Sequence, residues 1–275
     1  MKTALLLLAI YFVLPAPAQQ LPLGKILVAA QKERGRDVIY LVNSDGSDPV
    51  FITNGSVPSA SPGGRNITYI IPEHADNTGS IWIMDLRTKQ AKRLYGLNVC
   101  YPRWSPDGRH IAFEYVAYKR SGIYLMDTNG NNVLELVSDA RNPAWSPDGK
   151  YIAYSNGYDI YSMNINNKQT RRLTNTRELK EKFPAWSQDG RYIAFITQGQ
   201  DTDNIEIIDL KSNKKKVLAQ CMCSHISWTG NGMILYEYRS DRLTNTQIAV
   251  IDPATKTTRT ITVCDKDLWW PEWVK

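Results

Sequence analysis

Histidine is nearly missing from this chain of 275 residues: His74 in a loop, His110 beside a strand and His225 just ahead of one are the whole supply. No Gly-x-Ser-x-Gly elbow, Gly-rich phosphate loop or His-Glu-x-x-His pair occurs, so the linear marks of serine hydrolases, nucleotide-binding loops and zinc peptidases are all lacking. Gly (17) and Pro (14) are too few for a fibrous or low-complexity chain. After the first fourteen residues no apolar run approaches the roughly 20 needed for a membrane-spanning helix. Aromatic residues are plentiful, with 8 Trp and 15 Tyr, which favours a packed, strand-rich body. The net charge of +6 allows an acidic partner without demanding one.

The first residues read as a targeting segment. Lys2 precedes an apolar stretch over 4–14, and Ala16-Pro17-Ala18 has the small-x-small form of a cleavage site. We expect a signal peptide over 1–18, cleavage before Gln19, and a periplasmic or secreted mature protein. No Cys stands at the cleavage point to take a lipid.

Internal repetition dominates the remainder. YPRWSPDGRHIAFEY begins at Tyr101, NPAWSPDGKYIAYSN at Asn142 and FPAWSQDGRYIAFIT at Phe183, with weaker copies from Val57, His225 and Trp270. The anchors are Ala60, Trp104, Trp145, Trp186, Trp228 and Trp273, spaced by 44, 41, 41, 42 and 45 residues. A period of about 40 to 45 suits a four-stranded propeller blade. In each unit the anchor strand meets a Ser-Pro-Asp-Gly turn, and a second apolar strand follows. A third strand ends at an Asx residue: Asn43, Asp85, Asp127, Asn164, Asp209 or Asp252. A fourth strand completes the unit.

The last unit stops at Trp273, Val274 and Lys275, and the missing second strand stands at 24–28. We therefore expect an all-β, six-bladed β-propeller occupying 19–275 as one domain. Blades start near 57, 101, 142, 183 and 225, and the sixth combines 270–274 with 24–53. Pairing the two ends in one sheet removes exposed strand edges.

The Pro-x-Trp-Ser-Pro-Asp-Gly-x-x-Ile-Ala-Phe repeat, the Ile-Tyr-x-Met-Asp strand at 123–127 and Leu173-Thr174 resemble the TolB propeller domain over about 24–274. The α/β domain that precedes that propeller has no counterpart between Ala18 and Gly24. The resemblance implies a periplasmic, non-catalytic protein of the Tol-Pal type that binds a protein or peptide, with a Pal-like lipoprotein as partner. We expect no cofactor, no metal, no nucleic-acid partner outside the cytoplasm, and a monomeric chain.

The repeating Trp side chains read as filling between blades, and Asp107, Asp148 and Asp189 as turn formers. Cys100, Cys221, Cys223 and Cys264 all fall where one blade hands over to the next, and export permits oxidation. The leading expectation is a bridge from Cys264 to Cys221 or Cys223, with the pairing of Cys100 left open. Cys221, Cys223 and His225 alternate as a soft-metal site would, but the spacing reads as adventitious. Residues three or four before each anchor should ring the channel mouth. Among them Tyr101, Arg141, Asn142, Lys182, Phe183, His225, Trp269 and Trp270 are the expected partner-binding set, with Arg141 and Lys182 suited to a carboxylate. Basic turns at the outer rim, Lys168 and Lys211 to Lys216 among them, read as solvated. A second function class stays open: a lyase or hydrolase acting in the channel on a small molecule or polysaccharide.

Overall fold

The computed structural model describes residues 24–31, 37–73, 78–117, 120–176, 178–239, 245–261, 263 and 267–274. The expected signal peptide, His74 and Cys264 lie outside them. The described residues form 22 strands and no helix.

Strand pairing resolves into six antiparallel units of four. The first takes Ser56–Ala60, Asn66–Pro72, Gly79–Asp85 and the opening half of Ala91–Trp104. The closing half of Ala91–Trp104 starts the second unit, so this 14-residue strand passes from one blade to the next without a break. Lys214–Trp228 does the same between the fourth and fifth blades. The sixth blade is assembled from both ends of the chain: Leu268–Val274 pairs antiparallel with Lys25–Gln31, matching Lys25 to Val274, Ile26 to Trp273 and Leu27 to Glu272. The ring is closed by the juxtaposition the repeats foretell.

The core is distributed between blades. Six clusters of buried apolar residues correspond to six blade interfaces, from Leu27, Ile39 and Ile52 against Ile67 and Tyr69 around to Leu235 and Ile248 against Ile26 and Val28. Each blade therefore buries both faces, and the packing is between neighbours, as in other repeat architectures.

Local hydrogen bonds explain the repeated polar residues. The Ser187 hydroxyl donates to Asp189 at 2.6 Å, the Arg191 amide donates to the same oxygen, and the Tyr192 amide donates to Ser187 Oγ. These bonds hold the Asp189 carboxyl below its ordinary range, the Ser187 bond foremost. Asp107 and Asp148 repeat the arrangement. Asp85, Asp127, Asn164, Asp209 and Asp252 close Asx-turns on amides two to four residues ahead. Asn43 differs. Its side chain donates to Ser47 and Asp48, and Asp45 accepts the turn amide from Ser47.

Candidate functional site

Each innermost strand carries a β-bulge at the same repeat position. The ladder shifts register between Ser56 and Ser59, Cys100 and Arg103, Arg141 and Ala144, Lys182 and Ala185, and Cys223 and Ile226, and likewise opposite Leu27 and Ala29. The residue three before the anchor sits in this bulge. In five blades it is Val57, Tyr101, Asn142, Phe183 or Trp270, with φ between 48° and 53°. All five precede proline, which lacks the N–H that a regular ladder would require and so suits the interrupted pairing. His225 precedes Ile226 and is not among the positive-φ residues. A non-glycine residue in that region costs about 1–3 kcal/mol, so strain is concentrated at one end of the channel.

Two buried carboxylates brace this layer. Glu114, on the second strand of blade two, accepts the Asn142 amide of blade three at 3.0 Å; Glu237 of blade five accepts the Trp270 amide of blade six at 2.7 Å. Glu114 is 2% exposed and Glu237 5%. Burial pushes the Glu114 carboxyl up to about 7, against the pull of the Asn142 amide and of Arg141. Burial also raises Glu237, with the Ser224 hydroxyl and the Trp270 amide opposing. The sequence reading missed both. The signal was a glutamate within an apolar strand, at the repeat position where other blades have Ile70, Ser155 and Ile196.

Side chains from three blades plug the channel below the mouth. The Tyr101 and Phe183 rings meet edge to face at 5.6 Å, and Phe183 meets the His225 ring at 5.6 Å. Arg103 Nη2 donates across the channel to His225 Nε2 at 3.3 Å. Burial, reinforced by the Arg103 charge, holds the His225 imidazole well below its ordinary range and therefore neutral.

The expected partner-binding set consequently splits. His225 is 3% exposed and Trp270 9%, and Trp270 packs into the core between blades one and two. Sequence placed them on the rim; their side chains instead support it. Tyr101 and Phe183 are half-buried plug residues. Arg141 is exposed, while Lys182, Asn142 and Trp269 are half-buried. Asn142 accepts from the Ser155 hydroxyl through Oδ1, and Lys182 donates to Gln198 at 2.8 Å. Burial lowers the Lys182 ammonium, with repulsion from Lys180 next, Asp203 opposing and Arg141 adding to the repulsion, so basic side chains gather at the mouth over blades three and four.

The cysteines do not converge on a site. Cys221 and Cys223 are thiols, and Cys223 donates to the Cys221 carbonyl at 3.9 Å. The Cys221 side chain, then burial, raises the Cys223 thiol and makes it a poor nucleophile. The proposed bridging partner, Cys264, is outside the described residues, and Cys100 is buried at the joint of blades one and two. Among the described residues no cluster of three or more His, Cys, Asp or Glu side chains is placed to hold a metal ion. At the rim, Lys215 is exposed but lies in a strand and pairs with buried Glu181 at 3.2 Å, 3.9 Å from Glu206.

Anchor indoles act as inter-blade staples, Trp145 Nε1 donating to the Arg103 carbonyl and Trp228 Nε1 to that of Ala185. Six four-stranded blades around a plugged channel define a β-propeller scaffold. The chain belongs to the TolB beta propeller domain family, PD40, whose model matches residues 24–275. It is similar in fold to TolB from Acinetobacter baumannii (TM-score 0.81, 20% identity), covering 91% of this chain and 66% of that one. A TolB-type protein from Agrobacterium tumefaciens aligns with TM-score 0.71 at 16% identity, covering 92% of this chain and 99% of the other. An oligogalacturonate lyase in complex with manganese aligns with TM-score 0.58 at 13% identity, covering 82% of this chain and 72% of that one. Among curated proteins no sequence relative was found. No helix among the described residues is long and apolar enough to cross a membrane.

Proposed function

We propose that this protein is an exported, non-catalytic propeller that docks an acidic segment of a protein or peptide partner on its channel-mouth face. The observation that supports this most is the cluster of basic side chains Arg141, Lys180 and Lys182, only partly offset by Glu114 and Asp203, set on a mouth whose backbone is braced by buried carboxylates. Bracing limits the ordering cost of association, and the charge steers an acidic partner. By family resemblance the partner is a Pal-like lipoprotein of the cell envelope, the site of action is the periplasm, and the propeller works as a monomer without a cofactor.

Arg141→Ala combined with Lys182→Ala tests this. Capture of the partner from envelope extract should fall at least about tenfold, two lost charge-assisted contacts sufficing for that. The melting temperature should stay near wild type, because Arg141 is exposed and Lys182 only half-buried. Capture by the wild type should also weaken as salt rises, since exposed charges are screened. Undiminished capture by the double variant would move the docking surface elsewhere.

The competing reading is a channel-sited lyase or hydrolase, and the raised carboxyls of Glu114 and Glu237 are what favours it. Against it, both are closed from solvent and committed to backbone amides. Turnover in a screen of oligosaccharides and esters, abolished by Glu114→Gln or Glu237→Gln in a folded variant, would establish catalysis.

A further inference from the structure

The turn face, at the far end of the ring from the mouth, carries a groove of about 680 Å³ between blades three and four. That volume falls within the usual span of small-ligand sites. Its apolar part is the pair of Tyr151 and Trp186 rings, stacked with centroids 6.4 Å apart and planes 29° from parallel, together with Leu173 and Leu210. Its polar part comes from the turns: Asp148, Ser162, Asn164 and Gln169 of blade three and Asp189 of blade four.

Two departures from the repeat open this groove on blade three. In blade four, Arg191 lies over the Tyr192 ring at 4.9 Å and is held by Asp209, 2.8 Å away, at the end of the third strand. Blade one makes the same ion pair with Arg65 and Asp85. Blade three has Asn164 where those blades have the aspartate, so Lys150, the counterpart of Arg191, finds no carboxylate there and lies 3.8 Å from Asp148. The Tyr151 ring is left 36% exposed. The second departure stands two residues before Asn164. Five blades carry Leu41, Ile83, Leu125, Ile207 or Val250 at that position, and blade three carries Ser162. The short side chain leaves room beside the rings and adds a hydroxyl to the lining.

The turn bonds leave donors and acceptors over. Asn164 Oδ1 accepts the amides of Asn166 and Asn167, and Gln169 Oε1 accepts from Asn167 Nδ2, so the Nδ2 and Nε2 donors of Asn164 and Gln169 remain for a ligand. Asp189 takes the Ser187 hydroxyl and the Arg191 amide on Oδ1, leaving Oδ2 for another donor. Amide donors next to a carboxylate match adjacent hydroxyls, each of which donates and accepts, and an aromatic face favours the C–H face of a saturated ring. Asp148 and Asp189 oppose an anion. Among the described lining residues Arg171 is the one cation, and it already donates to Asn213 at 3.4 Å.

We propose that this groove binds a neutral saccharide unit, one face of its ring on Tyr151, with hydroxyls donating to Asp189 and accepting from Asn164 and Gln169. The site is separate from the mouth and does not depend on docking there.

The test is titration of the mature protein, labelled with ¹³C in its tyrosine rings, with cellobiose, maltose and N,N′-diacetylchitobiose, and with digalacturonate and glycerol for comparison. The Tyr151 resonances, assigned from their loss in Tyr151→Asn, should move and saturate with at least one neutral disaccharide, and should respond to neither digalacturonate nor glycerol. Affinities of the variants are read from the sugar signals by saturation transfer. Tyr151→Asn, which gives blade three the Asn66 of blade one, should weaken binding at least about tenfold through loss of the aromatic face. Ser162→Ile, which restores the side chain of blades one and four, should fill the groove and weaken binding as much, with the melting temperature unchanged or higher. Lys150→Arg combined with Asn164→Asp installs the covering ion pair of blade four and should also weaken binding; it serves if either single variant fails to fold. A still Tyr151 with all three neutral disaccharides, equal or tighter binding of digalacturonate, an equal response to glycerol, or undiminished affinity in the folded variants would overturn the site.

Discussion

The melting temperature of Trp273→Ala is expected to fall by about 6–20 °C. Trp273 lies in the strand that completes blade six, is 7% exposed, and packs with Ile26, Val28, Leu235 and Val250. Gly24 lies against it so closely that a Cβ there would come within 2.0 Å of the indole. Truncating a buried Trp costs about 3–5 kcal/mol, and each kcal/mol shifts a domain of this size by about 2–4 °C. The loss should also be localised. Hydrogen exchange of amides in Lys25–Gln31 should accelerate far more than exchange in Tyr151–Asn156, because the first strand is held to the ring by Leu268–Val274. A drop no larger than that of an exposed substitution, or uniform acceleration around the ring, would mean that the two ends of the chain do not close it.

The second large effect is a pH dependence seated at Glu114. Its carboxyl is raised from 4.5 to about 7 by burial. A raised folded-state value means that the native state holds its proton more tightly than the unfolded chain. Stability from this group is therefore fully present below about 4.5 and is lost as pH climbs through about 7. The difference corresponds to roughly 3 kcal/mol. The wild-type protein should lose that increment on going from pH 4.5 to pH 7.5, a fall of roughly 6–12 °C in melting temperature. Glu114→Gln keeps a carbonyl that accepts the Asn142 amide and removes the titration, so its profile should be flatter over this window and higher at pH 7.5. Glu237→Gln should act in the same direction through the Trp270 amide. Parallel profiles of wild type and Glu114→Gln would show that the buried carboxyl is not the titrating group.

What the sequence disclosed and what it hid divide along a physical line. Trp104, Trp145 and Trp186, the Asp107-type turns and the strand missing after Val274 were legible because they recur with the blade period, and recurrence reports scaffold. The mouth was legible only as a position. That residues three before the anchor form one layer follows from the repeat. That Trp270 turns into the core while Arg141 beside Asn142 faces solvent depends on a bulge with positive φ, which hydrophobic alternation does not encode. Glu114 and Arg103 are exceptions to the repeat, charged where most sister blades carry small or apolar side chains and only Glu237 and Glu272 are charged as well. Exceptions of that kind are the sequence-level trace of a site, and a comparison of the six units position by position would have singled them out. Cys223 shows the opposite case: its alternation with Cys221 and His225 has the form of a metal site, and the Cys221 side chain together with burial makes it an inert core residue.

Photo-crosslinking from defined positions in the native envelope addresses the docking face most directly. A photoreactive residue at position 182, on the mouth, should trap one discrete partner, and the product should vanish when Arg141→Ala is combined with it. The same residue at position 150, on the turn face, should trap none. A partner trapped from position 150 and not from position 182 would contradict docking at the mouth.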